Sequence, residues 1–269
     1  MLCAAMNELQ FPRRPVLFIR FRETIVFLFA LLVLHSSARA QIQAAGTLFV
    51  NLDATARPLG SISLITNSGS LGGFFEARGG GANAPRIAMA GSSGARGIQF
   101  DGDDYMQHVT AAGGALILPP SGLVGIDPTR SIEVWAFNPA IADEETLLSW
   151  GHRGGPDGSN MSFNYGGNAQ FGAVGHWGGA GPDLGWSNSG GAPQAGKWHH
   201  LVYTYDGTTT RVYADGVLQN SEVLGPFVIA DDTVQRIGHE RSIATSCLRA
   251  LTSFSRSSIL TESFDSPFM

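Results

Sequence analysis

The chain has 269 residues and carries 17 Lys+Arg against 22 Asp+Glu, with 35 glycines and only 14% charged residues. That length allows one large domain or two small ones, and a hydrophobic share of 43% excludes a chain disordered throughout. No basic stripe is present to neutralise phosphates, so nucleic acid is excluded as a partner class.

The first forty residues differ in composition from the rest. Arg13, Arg14, Arg20 and Arg22 precede an unbroken apolar run over residues 25–34, and Ser36, Ser37, Ala38, Arg39 and Ala40 follow it. This is the layout of a secretory signal peptide, with cleavage expected between Ala40 and Gln41. The apolar run is about half the roughly 20 residues that a spanning helix needs, so no membrane span is expected after cleavage. The predicted location is secreted, extracellular or periplasmic. Without residues 1–40 the chain keeps 12 basic against 20 acidic residues, a balance that repels DNA and anionic lipid and tolerates divalent cations. Cys3 leaves with the leader. Cys247 then has no partner for an internal disulfide, and it reads as a small buried hydrophobe.

From residue 47 onward no helical periodicity persists beyond two turns. Short apolar runs alternate with Gly, Asn, Asp and Pro, and they predict strands over residues 48–52, 97–100, 131–137, 146–150, 161–165, 170–175 and 234–238. Along 131–137, Ile132, Val134 and Ala136 share one face and Glu133, Trp135 and Phe137 the other, as in a central strand. Residues 198–218 read as three successive antiparallel strands turned at Asp206-Gly207 and Asp215-Gly216, since Asp-Gly favours the positive backbone angles of a tight hairpin. The Gly-rich pieces 68–81 and 178–191 read as long surface loops. Many short strands with regular turn signals indicate an all-β, two-sheet antiparallel sandwich or jelly roll. It occupies residues 41–241, and residues 242–269 supply either a diverged closing strand or a truncated tail.

Four segments in order carry a family resemblance: Phe100-Asp101-Gly102-Asp103-Asp104-Tyr105-Met106, Ser131-Ile132-Glu133-Val134-Trp135, the run from Gly196-Lys197-Trp198-His199-His200 through Asp206-Gly207, and Val212-Tyr213-Ala214-Asp215-Gly216. Together they resemble the laminin-G-like jelly-roll domains of the concanavalin A-like lectin/glucanase superfamily, over roughly residues 47–240. The resemblance implies two curved antiparallel sheets packed face to face. It also implies one of several functions: sugar binding, adhesion or glycoside hydrolysis. Calcium sites, common in such domains, are implied as well. Asp53 and Asp101 are the residues expected to serve one, with solvated turn and cap roles as the alternative for each.

Glycoside hydrolysis needs two carboxylates across a sugar bond, typically about 5 to 9 Å apart. No such pair is visible: Glu133 is alone in its strand, Asp143, Glu144 and Glu145 read as a solvated loop, and Asp101, Asp103 and Asp104 sit on a turn. The adjacent His199 and His200 point to opposite faces of a strand and cannot share a metal through one surface, and His152 and His176 lack ligand-spaced partners. Gly79, Gly80 and Gly81 lack the Lys-Ser/Thr of a phosphate loop. Two glycine-rich loops each join a His, an Asp and Trp: Trp150, His152, Arg153 and Asp157 in one, and His176, Trp177, Asp183 and Trp186 in the other. Their rings suit stacking on sugars, and His152, Arg153, Asp157, His176 and Asp183 suit directed hydrogen bonds. The alternative is that Trp150, Trp177 and Trp186 cap the core, as Trp135, Trp198, Tyr203 and Tyr205 are expected to do within strands. The sequence therefore predicts an exported module that binds a carbohydrate or glycoconjugate, with calcium as its cofactor. An adhesion module with a protein partner is the second reading and a diverged glycoside hydrolase the third.

Overall fold

β-branched and aromatic residues at every second position, broken by Gly and Asp turns, leave the chain one economical way to bury its apolar surface: two sheets pressed face to face. A computed structural model describes residues 46–79, 84–156, 158–177, 182–238 and 246–252, the last segment through its backbone. The leader over residues 1–40 lies outside the described residues. Among those described there are eighteen strands and no helix, hence no helix long and apolar enough to cross a membrane.

The first sheet runs β15 (Val217–Val223), β14 (Thr209–Ala214), β13 (Trp198–Tyr205), β9 (Arg130–Phe137), β18 (Ser246–Thr252), β6 (Ala95–Phe100), β5 (Arg86–Ala90) and β2 (Gly60–Ser61), with β1 (Val50–Asn51) also paired to β18. The second runs β12 (Val174–Gly175), β11 (Asn160–Asn164), β10 (Thr146–Gly151), β17 (Arg236–Ile237), β7 (Asp104–Val109), β4 (Phe74–Gly79) and β3 (Leu64–Thr66). A short ribbon joins β8 (Gly125–Ile126) to β16 (Val228–Ile229). All these pairings are antiparallel. The fold is the two-sheet jelly-roll sandwich read from the sequence.

In β9 and β13 burial alternates strictly, and the register sets Leu201 against Val134 and Tyr203 against Ile132. These residues face Phe163 of the second sheet, whose ring lies 5.9 Å from that of Tyr203, so the core sits between the sheets. At the hairpin from β14 to β15, Asp215 (φ 51°) and Gly216 (φ 78°) both adopt positive φ, as a two-residue turn of this hand requires. The Asp206 turn works differently. Its Oδ1 accepts from the backbone N–H groups of Thr208 and Thr209, closing a longer loop by side-chain capping. β18 lies inside the first sheet, between β6 and β9, and meets the first strand where Thr252 faces Val50. Removing it would separate β6 from β9.

Three expectations need correction. Residues 68–81 are not one surface loop: β4 occupies six residues of that segment and pairs with β7 along all six, because Phe75, fully buried, anchors it despite the flanking glycines. The strands expected at 48–52, 170–175 and 234–238 shrink to β1, β12 and β17, two residues each. Trp135 and Trp198 are not core. They stand half-buried on the outer face of the first sheet, where Trp135 meets His200 (ring centroids 5.2 Å) and Phe137 meets Trp198 (5.8 Å). Tyr203 and Tyr205 are core as expected. His199 and His200 do point to opposite faces. His199 is buried and bound to Asp215 at 2.6 Å, whereas His200 bonds Glu133 on the outer side at 2.8 Å.

Candidate functional site

The second sheet turns Leu148, Trp150, Met161, Phe163, Met106 and Ile237 inward, so pleating sends their neighbours to its outer face. The pairings Gly175–Ser162, Ser162–Ser149, Ser149–Arg236, Arg236–Gln107 and Gln107–Glu76 then align one row across six strands. Apart from Gly175, every member is polar, and this is an outer face that a sandwich does not need for its core. Tyr105 and Arg78, paired with each other, and Asn160 lie on the same side.

One end of the row is roofed. Trp177 lies across Gly175 so closely that a Cβ there would come within 2.7 Å of the indole and 2.9 Å of the Ser162 hydroxyl, so only glycine admits the ring. The Arg153 guanidinium covers the indole at 4.7 Å and the Phe171 ring meets it edge-on at 4.7 Å. Arg153 is itself held by Glu144 at 3.0 Å. The indole N–H is buried with no hydrogen-bond partner.

The middle and far end are more open. Arg78 pairs with Glu76 at 2.6 Å and, with the Gln107 amide turned so that its oxygen faces the guanidinium, donates to Gln107 at 2.7 and 3.1 Å. Glu76 also accepts from the Gly113 N–H. Arg236, in contrast, stacks on the Tyr105 ring at 5.4 Å, and its Nε is buried with no partner. No side-chain hydrogen bond or ion pair joins its guanidinium to any described residue. The Asn160 Oδ1 is a further buried acceptor without a partner. Three unsatisfied polar groups thus share one sheet face, each at a desolvation cost on the order of 1–3 kcal/mol if it stays unpaired.

The residues singled out in the loops separate in space. Trp177 and Arg153 belong to the face just described. His152 stands exposed beside Asp232 at 3.4 Å, a solvent-screened pair. Trp186 and His176 depart from the expected ligand contact: they are 2% and 1% exposed. The Trp186 ring packs between Phe163 (6.0 Å) and Tyr165 (6.5 Å), so the core takes it. His176 stacks on Phe227 at 4.0 Å, and its Nδ1–H donates to the Pro182 carbonyl at 2.8 Å while Nε2 accepts from the buried Arg130 at 3.0 Å. Burial first, and then the Arg130 charge, hold its pKa well below the ordinary imidazole value, so the ring is a neutral clasp. Asp183 accepts from the His176 backbone N–H at 2.6 Å and thereby fixes the loop. Asp157 lies outside the described residues.

Of the expected metal ligands, Asp53 accepts from the Thr55 N–H and hydroxyl in a turn of its own. Asp101 is joined instead by Asp103 and Asp104, one ligand atom from each lying within 4.8 Å of the others. Asp104 is buried. Its Oδ1 accepts from the Asp101 N–H, its Oδ2 has no partner, and burial pushes its pKa up to about 6. Three clustered carboxylates, one of them with an orphaned buried oxygen, are hard donors of the kind calcium takes. Glu145 corrects another expectation: it is buried rather than solvated, with its pKa raised to about 7 by desolvation. Sequence spacing gave no signal for Arg236, which stands in a two-residue strand outside every motif. Only the sheet register aligns it with Ser149 and Gln107.

Comparison with known proteins completes the picture. Among solved structures the chain is similar to domain 4 of AbnA, a GH43 extracellular arabinanase from Geobacillus stearothermophilus, in complex with arabinotriose. The identity is 15% and the TM-score 0.50, over 79% of this chain and 94% of that one. It is similar too to the binding domain of Paraclostridial Mosquitocidal Protein 1 (13% identity, TM-score 0.48, 79% and 50% covered). The botulinum neurotoxin serotype D ligand binding domain in complex with N-acetylneuraminic acid gives 11% identity and a TM-score of 0.46, with 80% and 49% covered. The chain spans about half the length of these two toxin domains. No curated protein matches the sequence. The family model described as the concanavalin A-like lectin/glucanases superfamily matches residues 107–247, more than half of the chain, and the chain belongs to that superfamily.

Proposed function

We propose that this protein is an exported carbohydrate-binding module whose glycan site is the outer face of the seven-stranded sheet. The observation that carries the reading is the half-buried Arg236 guanidinium, which has no counter-ion among the described residues and lies over the Tyr105 ring in a row of polar side chains drawn from neighbouring strands. Sugars offer alternating hydroxyls and apolar ring faces, which such a surface complements. Trp177 and Arg153 form the wall at one end, and Asp183, which accepts from the His176 N–H, fixes the loop that carries Trp177. The bound glycan of the arabinanase domain is consistent with a jelly roll of this kind serving carbohydrate binding. Export follows from the basic, apolar and small-residue order of residues 1–40.

Calcium is proposed at Asp101, Asp103 and Asp104, where bound cation would favour the charged Asp104 carboxylate and stiffen the turn between β6 and β7. A glycan-binding screen on the exported chain, with and without chelator, tests both parts. Binding that Trp177→Ala or Arg236→Ala weakens supports the module reading. A second reading, an adhesion module for a protein partner, draws on Ile126 and Val228, which pair across the β8–β16 ribbon at 79% and 57% exposure. Capture of a protein partner that changes at Ile126 and Val228 abolish, with no glycan bound, would favour it.

A further inference from the structure

We infer that the site selects an acidic glycan, seating the carboxylate of a uronic-acid-type sugar on Arg236; this rests on the glycan-binding reading above. Arg78 and Arg236 are two guanidiniums on the same sheet face, and the structure treats them differently. Arg78 is consumed internally by Glu76 and Gln107. Arg236 has no carboxylate among the described residues, yet it is fixed: it emerges from β17 between Ser149 and Gln107 and lies over the Tyr105 ring. A half-buried cation with no counter-ion is costly to maintain, and a ring stack replaces only part of its lost hydration. The buried Nε leaves the two terminal nitrogens as the open donors, a fork that matches a planar carboxylate end-on.

The neighbouring groups agree with that assignment. Ser149 and Gln107 flank the guanidinium in the same row with neutral polar groups suited to sugar hydroxyls. Glu76, the acid in that row, is already engaged by Arg78 and by the Gly113 N–H, so its charge is spent two strands away. The net acidity of the chain does not forbid an anionic ligand, since at physiological ionic strength charges beyond about 8 Å are largely screened and the contact charge decides. Selection therefore depends on Arg236 at short range, and it weakens as salt is raised.

The test is calorimetric titration of the full exported chain with polygalacturonate and with its fully methyl-esterified form, which keeps the sugar and removes the charge, and with neutral arabinan. Wild type is expected to bind the acid form more tightly than the ester by about tenfold or more, the range of a charged hydrogen bond. Arg236→Ala should bring that ratio close to one at an unchanged thermal midpoint. Arg236→Lys, which keeps the charge without the planar fork, should retain only part of the preference and also serves if the alanine variant folds poorly. Equal affinity of wild type for acid and ester overturns the inference and leaves the glycan reading standing. Binding to none of the three polymers overturns both.

Discussion

Trp186→Ala and Trp177→Ala should part company, although the two rings are nine residues apart in one glycine-rich loop. Trp186 is 2% exposed and wedged against Phe163 and Tyr165, so truncation opens a cavity in the core. Such a change costs about 3–5 kcal/mol, and for a domain of about 200 residues each kcal/mol lowers the midpoint by roughly 2–4 °C. A fall of roughly 6–20 °C is expected by scanning calorimetry. Because the Trp186 indole N–H has no partner, Trp186→Phe loses packing but no hydrogen bond and should recover most of the midpoint. Trp177 instead lies outside the sheet, between Gly175 and Arg153, so its loss forfeits a cation–π contact and a roof with no core cavity. Its midpoint should fall by only a few degrees while glycan affinity drops by an order of magnitude, roughly the effect of losing an aromatic anchor. A Trp186→Ala protein with a wild-type midpoint and no glycan binding would refute this division.

Glu145, with its pKa raised to about 7 from 4.5, keeps its proton in the folded state, so its contribution is full below about pH 4.5 and is lost as pH rises through about 7. Glu145→Gln should remove that decline, seen as a flatter urea midpoint between pH 4.5 and 8. Asp104, raised to about 6 from 3.8, has the same sign over a lower window without cation. Calcium should therefore raise the wild-type midpoint at pH 7.5 and leave Asp104→Asn unmoved, by thermal melts with calcium and with chelator. Ending the chain at residue 241 removes β18 from between β6 and β9 and should abolish cooperative folding; a sharp melt for that truncation would contradict the closing strand.

The sandwich was legible because the strands that build its centre announce themselves. β9 and β13 alternate over eight residues each, and Asp215-Gly216 can hardly be anything but a hairpin. β4 was hidden because glycines surround it, and because what makes it a strand is its partner β7 and the burial of Phe75, neither of which is local in sequence. The same reason explains the tryptophans. Trp135 alternates with residues that prove to be core and stands on the opposite, outer face of the first sheet. For the site, composition pointed to the loops, where Trp, His and Asp are concentrated. The structure spends His176, Asp183 and Trp186 on holding those loops, and brings Trp177 and Arg153 to a face whose other members come from β4, β7, β10, β11, β12 and β17. Cross-strand register assembles that face, and a single chain read in order carries no register between strands 87 residues apart, as Ser149 and Arg236 are.

Amide hydrogen exchange with and without saturating glycan locates the bound sugar, which is proposed to lie on the outer face of the seven-stranded sheet. Added protection is expected over Asp104–Val109, Arg236–Ile237 and the β12 end near Trp177, with the first sheet unchanged. Protection confined to Arg130–Phe137 and Trp198–Tyr205, beneath the outer aromatic cluster of Trp135, Phe137 and Trp198, would contradict it.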